Sequence, residues 1–178
     1  SMAVMGSEAD NFMQSQNDSP TGISGPKRYL WANKTENMYW NFYGSDEAIV
    51  GDALKYIPIE DSDELIEDGQ LPQGLTRRPI TPVYPKRTLM IFAMMEIIYQ
   101  AYCQVNSMHY RDHVGRPRIR RTLNNIILSF PTAMPFWERE RFLKQAQKAM
   151  AILIKMNVLS DSINIELGSD EASCSQIA

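Results

Sequence analysis

With 178 residues, 44% of them hydrophobic and 22% charged, the chain is long enough to bury a core and has the balance of an ordinary soluble domain. Its formal net charge of −3 conceals a division: residues 1–75 carry a balance of −9 and residues 76–178 one of +6. The halves can attract one another, or the basic half can meet an acidic partner. Two cysteines, Cys103 and Cys174, are too few and too far apart for a disulfide framework or a metal cluster, so a reducing compartment is expected.

Ser1-Met2 reads as a cloning remnant, and no basic end followed by an apolar run marks a signal peptide. Residues 1–21 are rich in Ser, Asn, Gln and Asp, which predicts a disordered N-terminal segment ahead of one domain over 22–178. Gly25-Pro-Lys-Arg-Tyr-Leu-Trp31 sets two cations before three large side chains. Structurally it is a short element pinned by its aromatics; functionally, Lys27 and Arg28 could hold phosphate at a cleft edge. Met38–Phe42 alternates as a strand does, and Ile49–Ile59 offers further short strands or a helical turn. An acidic loop over 60–74 follows, dominated by carboxylates between Glu60 and Asp68. It lacks the alternate ligands and central glycine of a calcium loop and reads as a solvated connection.

After Pro85, Lys86–Asn106 is apolar on most of its circumference, which predicts a helix buried between a sheet and other helices. Glu96, Gln100 and Gln104 form one polar stripe, expected to face solvent or a cleft, and they argue against a membrane span despite sufficient length. His109–Arg121 then contains Arg111, Arg116, Arg118, Arg120 and Arg121. Such a run could bind a polyanion through phosphates, but it lacks interleaved aromatics and any nucleic-acid motif, so the simpler reading is a solvated basic loop. His109 and His113 have no third ligand in sequence, and no metal site is predicted.

The stretch that organises the chain is the strand–helix unit over 124–156. Asn124–Phe130 is an apolar run too short for a helix, expected to be an interior strand of a covered sheet. Pro131 ends it, and Pro135 suits a first helical position. Phe142, Ala146, Ala149, Met150 and Leu153 then recur at helical spacing, while Glu138, Arg141, Gln145, Lys148 and Lys155 are expected to face water. Ser162–Leu167 alternates as a second strand, Gly168 and Ser169 read as a turn, and Asp170–Ala178 as the start of a helix whose apolar face has no continuation. That ending suggests a piece of a longer protein.

In this order the elements resemble the subdomain-linking region of the actin and Hsp70 ATPase superfamily. Pro131 matches its strand-end proline, Asp170-Glu-Ala-Ser173 its NEPTA-like segment, and Pro26-Lys-Arg-Tyr-Leu30 is similar to the KRLIG segment. GISGPKRYLW, RRTLNNIILSFPTAMPFWERERF and DEASCSQI resemble the SrfB virulence-factor family of Gram-negative bacteria, over roughly residues 22–43 and 80–178, with the acidic middle unmatched. The resemblance implies an α/β fold, a fragment of an actin-like (ribonuclease H-like) ATPase domain with long helices packed on a small sheet, in the bacterial cytoplasm. It implies that Lys27 reaches the terminal phosphate, that Glu171 stands beside magnesium and its waters, and that Pro131 couples subdomains, with ATP and Mg bound only in the full-length parent. The chain departs from that pattern in lacking a DxGT-type hairpin and a GGGT-type loop, whose backbone N–H groups surround the phosphates, so it is not expected to be an ATPase by itself. The expected partners are the rest of the parent chain and another protein, rather than nucleic acid. The alternative is a non-catalytic interaction module that keeps only the fold.

Overall fold

The computed structural model describes residues 6–15, 37–39, 56–57 and 83–175. The chain divides into two compact units, residues 1–93 and 94–178. Lys27, Arg28 and the acidic loop 60–74 lie outside the described residues.

In the first unit, helix α1 (Ser7–Ser15) forms inside the segment read above as disordered. Glu8 and Asp10 in its first turn complement the positive end of the helix dipole. Strands β1 (Asn37–Tyr39) and β2 (Val83–Pro85) pair antiparallel, with Met38 opposite Tyr84. Of the stretch 49–59, Tyr56 and Ile57 are described, both buried in a turn.

Helix α2 (Lys86–Val105) starts directly after Pro85, as the sequence predicts. Leu89–Phe92, Met94, Met95 and Ile98 are buried. The expectation of burial fails for its last two turns, where Tyr99, Gln100, Ala101, Cys103 and Gln104 are exposed. The polar stripe does face solvent, and the Gln100 amide donates to Glu96 at 3.0 Å. By length and composition Thr88–Val105 could cross a membrane, but half of that window is buried within the fold.

The second unit is built on a parallel β–α–β motif. Strands β3 (Asn125–Phe130) and β4 (Asn164–Asp170) pair in parallel, with helix α4 (Phe136–Lys155) between them in sequence and packed against β4. Ile126 pairs with Ile165 and Leu128 with Leu167. Parallel strands are joined through a crossover because a tight turn cannot reverse the chain twice, and a helix of this length spans the return.

Three expectations are corrected here. Within the described residues β3 is not covered on both faces: Ile127 is 66% exposed, since the two-stranded ribbon has one face turned to α4 and the other to solvent. Gly168 and Ser169 are not a turn but continue β4 to Asp170, across a register shift between Leu128 and Phe130. Glycine suits the continuation, because a Cβ at position 168 would stand 2.5 Å from the Ile127 Cγ2 methyl and Ile127 would have to shift to admit it.

The third correction concerns α4. Phe142, Ala146, Ala149 and Leu153 are buried as expected, but so are Glu138, Gln145 and Lys148, which were assigned to water. Glu138, Phe142, Gln145, Ala149 and Ile152 are spaced by alternating steps of four and three, which at 3.6 residues per turn places them on one stripe. Residue type suggested the wet face; helical angle put these side chains in the core. Lys155 is exposed and Arg141 intermediate.

Pro135 takes the N-cap position, one residue before the helix, with extended ψ of 158°. At the other end Asn157 adopts φ of 57°. Its N–H and that of Val158 donate to the carbonyls of Ile154 and Leu153, each at 2.9 Å, a left-handed C-terminal cap that satisfies carbonyls the helix leaves open.

Candidate functional site

Parallel strands end on the same side, so the loops leaving β3 and β4 meet at one edge. Pro131 and Thr132 leave β3 there, while Asp170 and helix α5 (Glu171–Ser175) leave β4, with Phe130 opposite Asp170. Asp170 ties the two loops together. Its Oδ1 accepts from the Thr132 hydroxyl at 2.9 Å and from the Ala172 and Ser173 N–H groups at 3.1 and 3.0 Å. Its Oδ2 accepts from the Ser173 hydroxyl at 2.7 Å. Donors converging on the charged form hold its carboxyl down at about 2, with the Ser173 hydroxyl first, then the Ser173 N–H and the Thr132 hydroxyl.

Because the folded value lies below the ordinary value of 3.8, the ionised carboxylate stabilises the fold fully above that ordinary value, and the contribution fades as pH falls toward 2. Asp170→Asn is expected to melt below the native chain at pH 6, with the gap narrowing under pH 4 and closing near pH 2. Thermal melts across that range check it; a gap independent of pH would show that the charge is not what matters.

The same edge carries the start of α4. The Arg139 guanidinium lies 4.2 Å from the Phe130 ring centroid, and its Nε donates to the Met134 carbonyl at 2.8 Å. Fully buried Glu138 accepts from Arg141 at 3.3 Å, and Arg141 also lies over the Trp137 ring at 5.1 Å. Phe136 and Trp137 are exposed.

Of the residues singled out from sequence, Pro131 and Glu171 are therefore brought to one edge, while Lys27 lies outside the described residues. Thr132, Asp170 and Ser173 were missed as functional candidates. The signal for Asp170 was present, since Asp directly before a helix is a common cap of its first N–H groups.

The arginine run lies at the opposite end of the strands, since Thr122 and Leu123 lead into the start of β3. It is not all loop: helix α3 (Met108–His113) covers its first part, begun by the Ser107 hydroxyl accepting from the Tyr110 N–H at 3.2 Å. His109 and His113 are exposed on it. No aromatic stands between its arginines, but two tyrosines that precede them in sequence lie against the last two. Arg120 lies over the Tyr102 ring at 5.6 Å and Arg121 over the Tyr110 ring at 5.5 Å.

The second unit is thus a parallel β–α–β domain unit with a hydrogen-bonded polar edge at its strand C-termini. The family model described as Virulence factor SrfB matches residues 1–177, and the chain belongs to that family. The match runs through the N-terminal segment and the acidic middle, which the motif resemblance had left out. No curated protein and no solved structure matches the chain.

Proposed function

We propose that this SrfB-family chain contributes one wall of an actin/Hsp70-like nucleotide cleft that is completed by the rest of a longer bacterial protein acting in the cytoplasm. The observation that carries the reading is the shared edge of Pro131–Thr132 and Asp170–Glu171 beyond the carboxyl ends of two parallel strands, where ligands of open α/β sheets bind. In phosphoryl transfer, catalysis is mostly positioning and charge neutralisation. Glu171 would orient magnesium-bound water, Lys27 would neutralise charge at the terminal phosphate, and Pro131, tied in through Thr132 and Asp170, would pass the state of the site to β3. ATP and Mg are the ligands of this reading, and the phosphate loops come from the remainder of the longer protein.

Hydrolysis measurements on the longer protein test it. Lys27→Ala and Glu171→Gln are each expected to lower kcat by at least about tenfold, the order expected for loss of one positioned charged group. Unchanged turnover in both variants would favour the non-catalytic interaction module, in which the fold survives without the chemistry.

A further inference from the structure

The arginine run has a shape that the nucleotide reading does not use. Two adjoining clefts, of about 300 and 230 Å³, share Arg120, Thr122 and Leu123 along their common wall. Arg116 and Arg121 complete the basic lining of the larger one, beside Tyr110. Asn106 fixes this wall to the end of α2. Its amide oxygen accepts from the Arg121 N–H at 2.9 Å, and its amide nitrogen donates to the Arg121 carbonyl at 3.0 Å. With their backbone held, Arg120 and Arg121 rest on Tyr102 and Tyr110, which orient both guanidinium planes.

Among the described residues, none of Arg111, Arg116, Arg118, Arg120 and Arg121 forms an ion pair with a carboxylate. A fold that collects like charges and ring-supports two of them leaves that charge to be neutralised from outside. We infer that the cleft lined by Arg116, Arg120 and Arg121 binds phosphate groups of an anionic ligand. Three guanidinium forks offer more charge and more donors than one carboxylate can accept, whereas a phosphate chain presents several oxygens and more than one negative charge. The ligand is either a free phosphorylated small molecule or a nucleic-acid backbone, and the probes separate them.

The full chain is titrated with pyrophosphate by calorimetry, and with labelled oligouridine and labelled poly-glutamate by fluorescence anisotropy. Phosphate probes are expected to bind and poly-glutamate to bind at least about tenfold more weakly. Each of Arg116→Ala, Arg120→Ala and Arg121→Ala is expected to weaken the phosphate probe about tenfold, the loss of one charge-assisted contact. Arg120→Lys, which keeps the charge and loses the fork, should fall between native and Arg120→Ala, while Lys144→Ala, outside the cleft, binds as the native chain does. Binding of pyrophosphate identifies a small phosphorylated ligand. Binding of oligouridine alone, with log affinity falling against log salt at a slope of about −2, identifies a nucleic-acid backbone. Absence of binding by both, equal binding of poly-glutamate, or indifference to the arginine replacements in variants with native circular dichroism overturns the inference.

Discussion

Phe142→Ala is expected to lower the stability of the second unit by about 3–5 kcal/mol. Phe142 is 2% exposed in the middle of the buried stripe of α4, so truncation removes its transfer free energy and leaves a cavity in a close-packed interior. Against the 5–15 kcal/mol typical of a whole domain, a loss of that size brings the unit close to unfolding at 37 °C. Urea titration followed by circular dichroism measures it. A loss below about 1 kcal/mol would mean that α4 does not carry the core of this unit.

Glu138→Ala follows from a different term. Glu138 is fully buried, salt-bridged to Arg141 at 3.3 Å, and lies on the same stripe as Phe142. Removing one member of a buried, hydrogen-bonded charge pair costs about 3–5 kcal/mol when the other is left stranded. Arg141 retains 34% of its side-chain exposure and rests on Trp137, so it stays partly hydrated and is not stranded, and a smaller loss of about 2 kcal/mol is expected. Glu138→Gln, which keeps shape and one acceptor, should lose less. If both variants melt with the native chain, the carboxylate is not a structural element of the core.

Much of the second unit could be read from residues alone, because its elements are local. The run Ile126–Leu128 closed by Pro131, the helix signalled by Pro135 and the alternation of Ile163, Ile165 and Leu167 are short-range patterns, and each became an element of the expected type, although the helix starts one residue after Pro135 and the second strand runs over Asn164–Asp170 rather than Ser162–Leu167. What could not be read depends on neighbours distant in sequence. Ile127 is chemically like Ile126, and the side of the β3–β4 ribbon on which α4 packs decides which of the two is the less exposed. Gly168 reads as a turn in sequence because the methyl that crowds a side chain there belongs to a strand some forty residues earlier. Glu138 and Gln145 differ for another reason: their residue type favours water, whereas their angle on the helix favours the core, and the angle decides.

The candidate site divides in the same way. Pro131 and Glu171 were chosen through family resemblance, and the parallel register puts them at one edge. Asp170 emerged from geometry, since the Thr132 hydroxyl that helps to hold its charge lies on the other strand's loop. The pairing of Arg120 and Arg121 with tyrosines is not visible in sequence because Tyr102 is on α2 and Tyr110 precedes the first arginine, so neither stands between the arginines it supports.

Calorimetric titration of MgATP into this chain and into the full-length protein, side by side, tests the proposed nucleotide cleft most directly. Saturable binding by the full-length protein and none by this chain is the predicted result, because the chain supplies Lys27, Pro131 and Glu171 but no phosphate loops. Absence of binding by the full-length protein would contradict it.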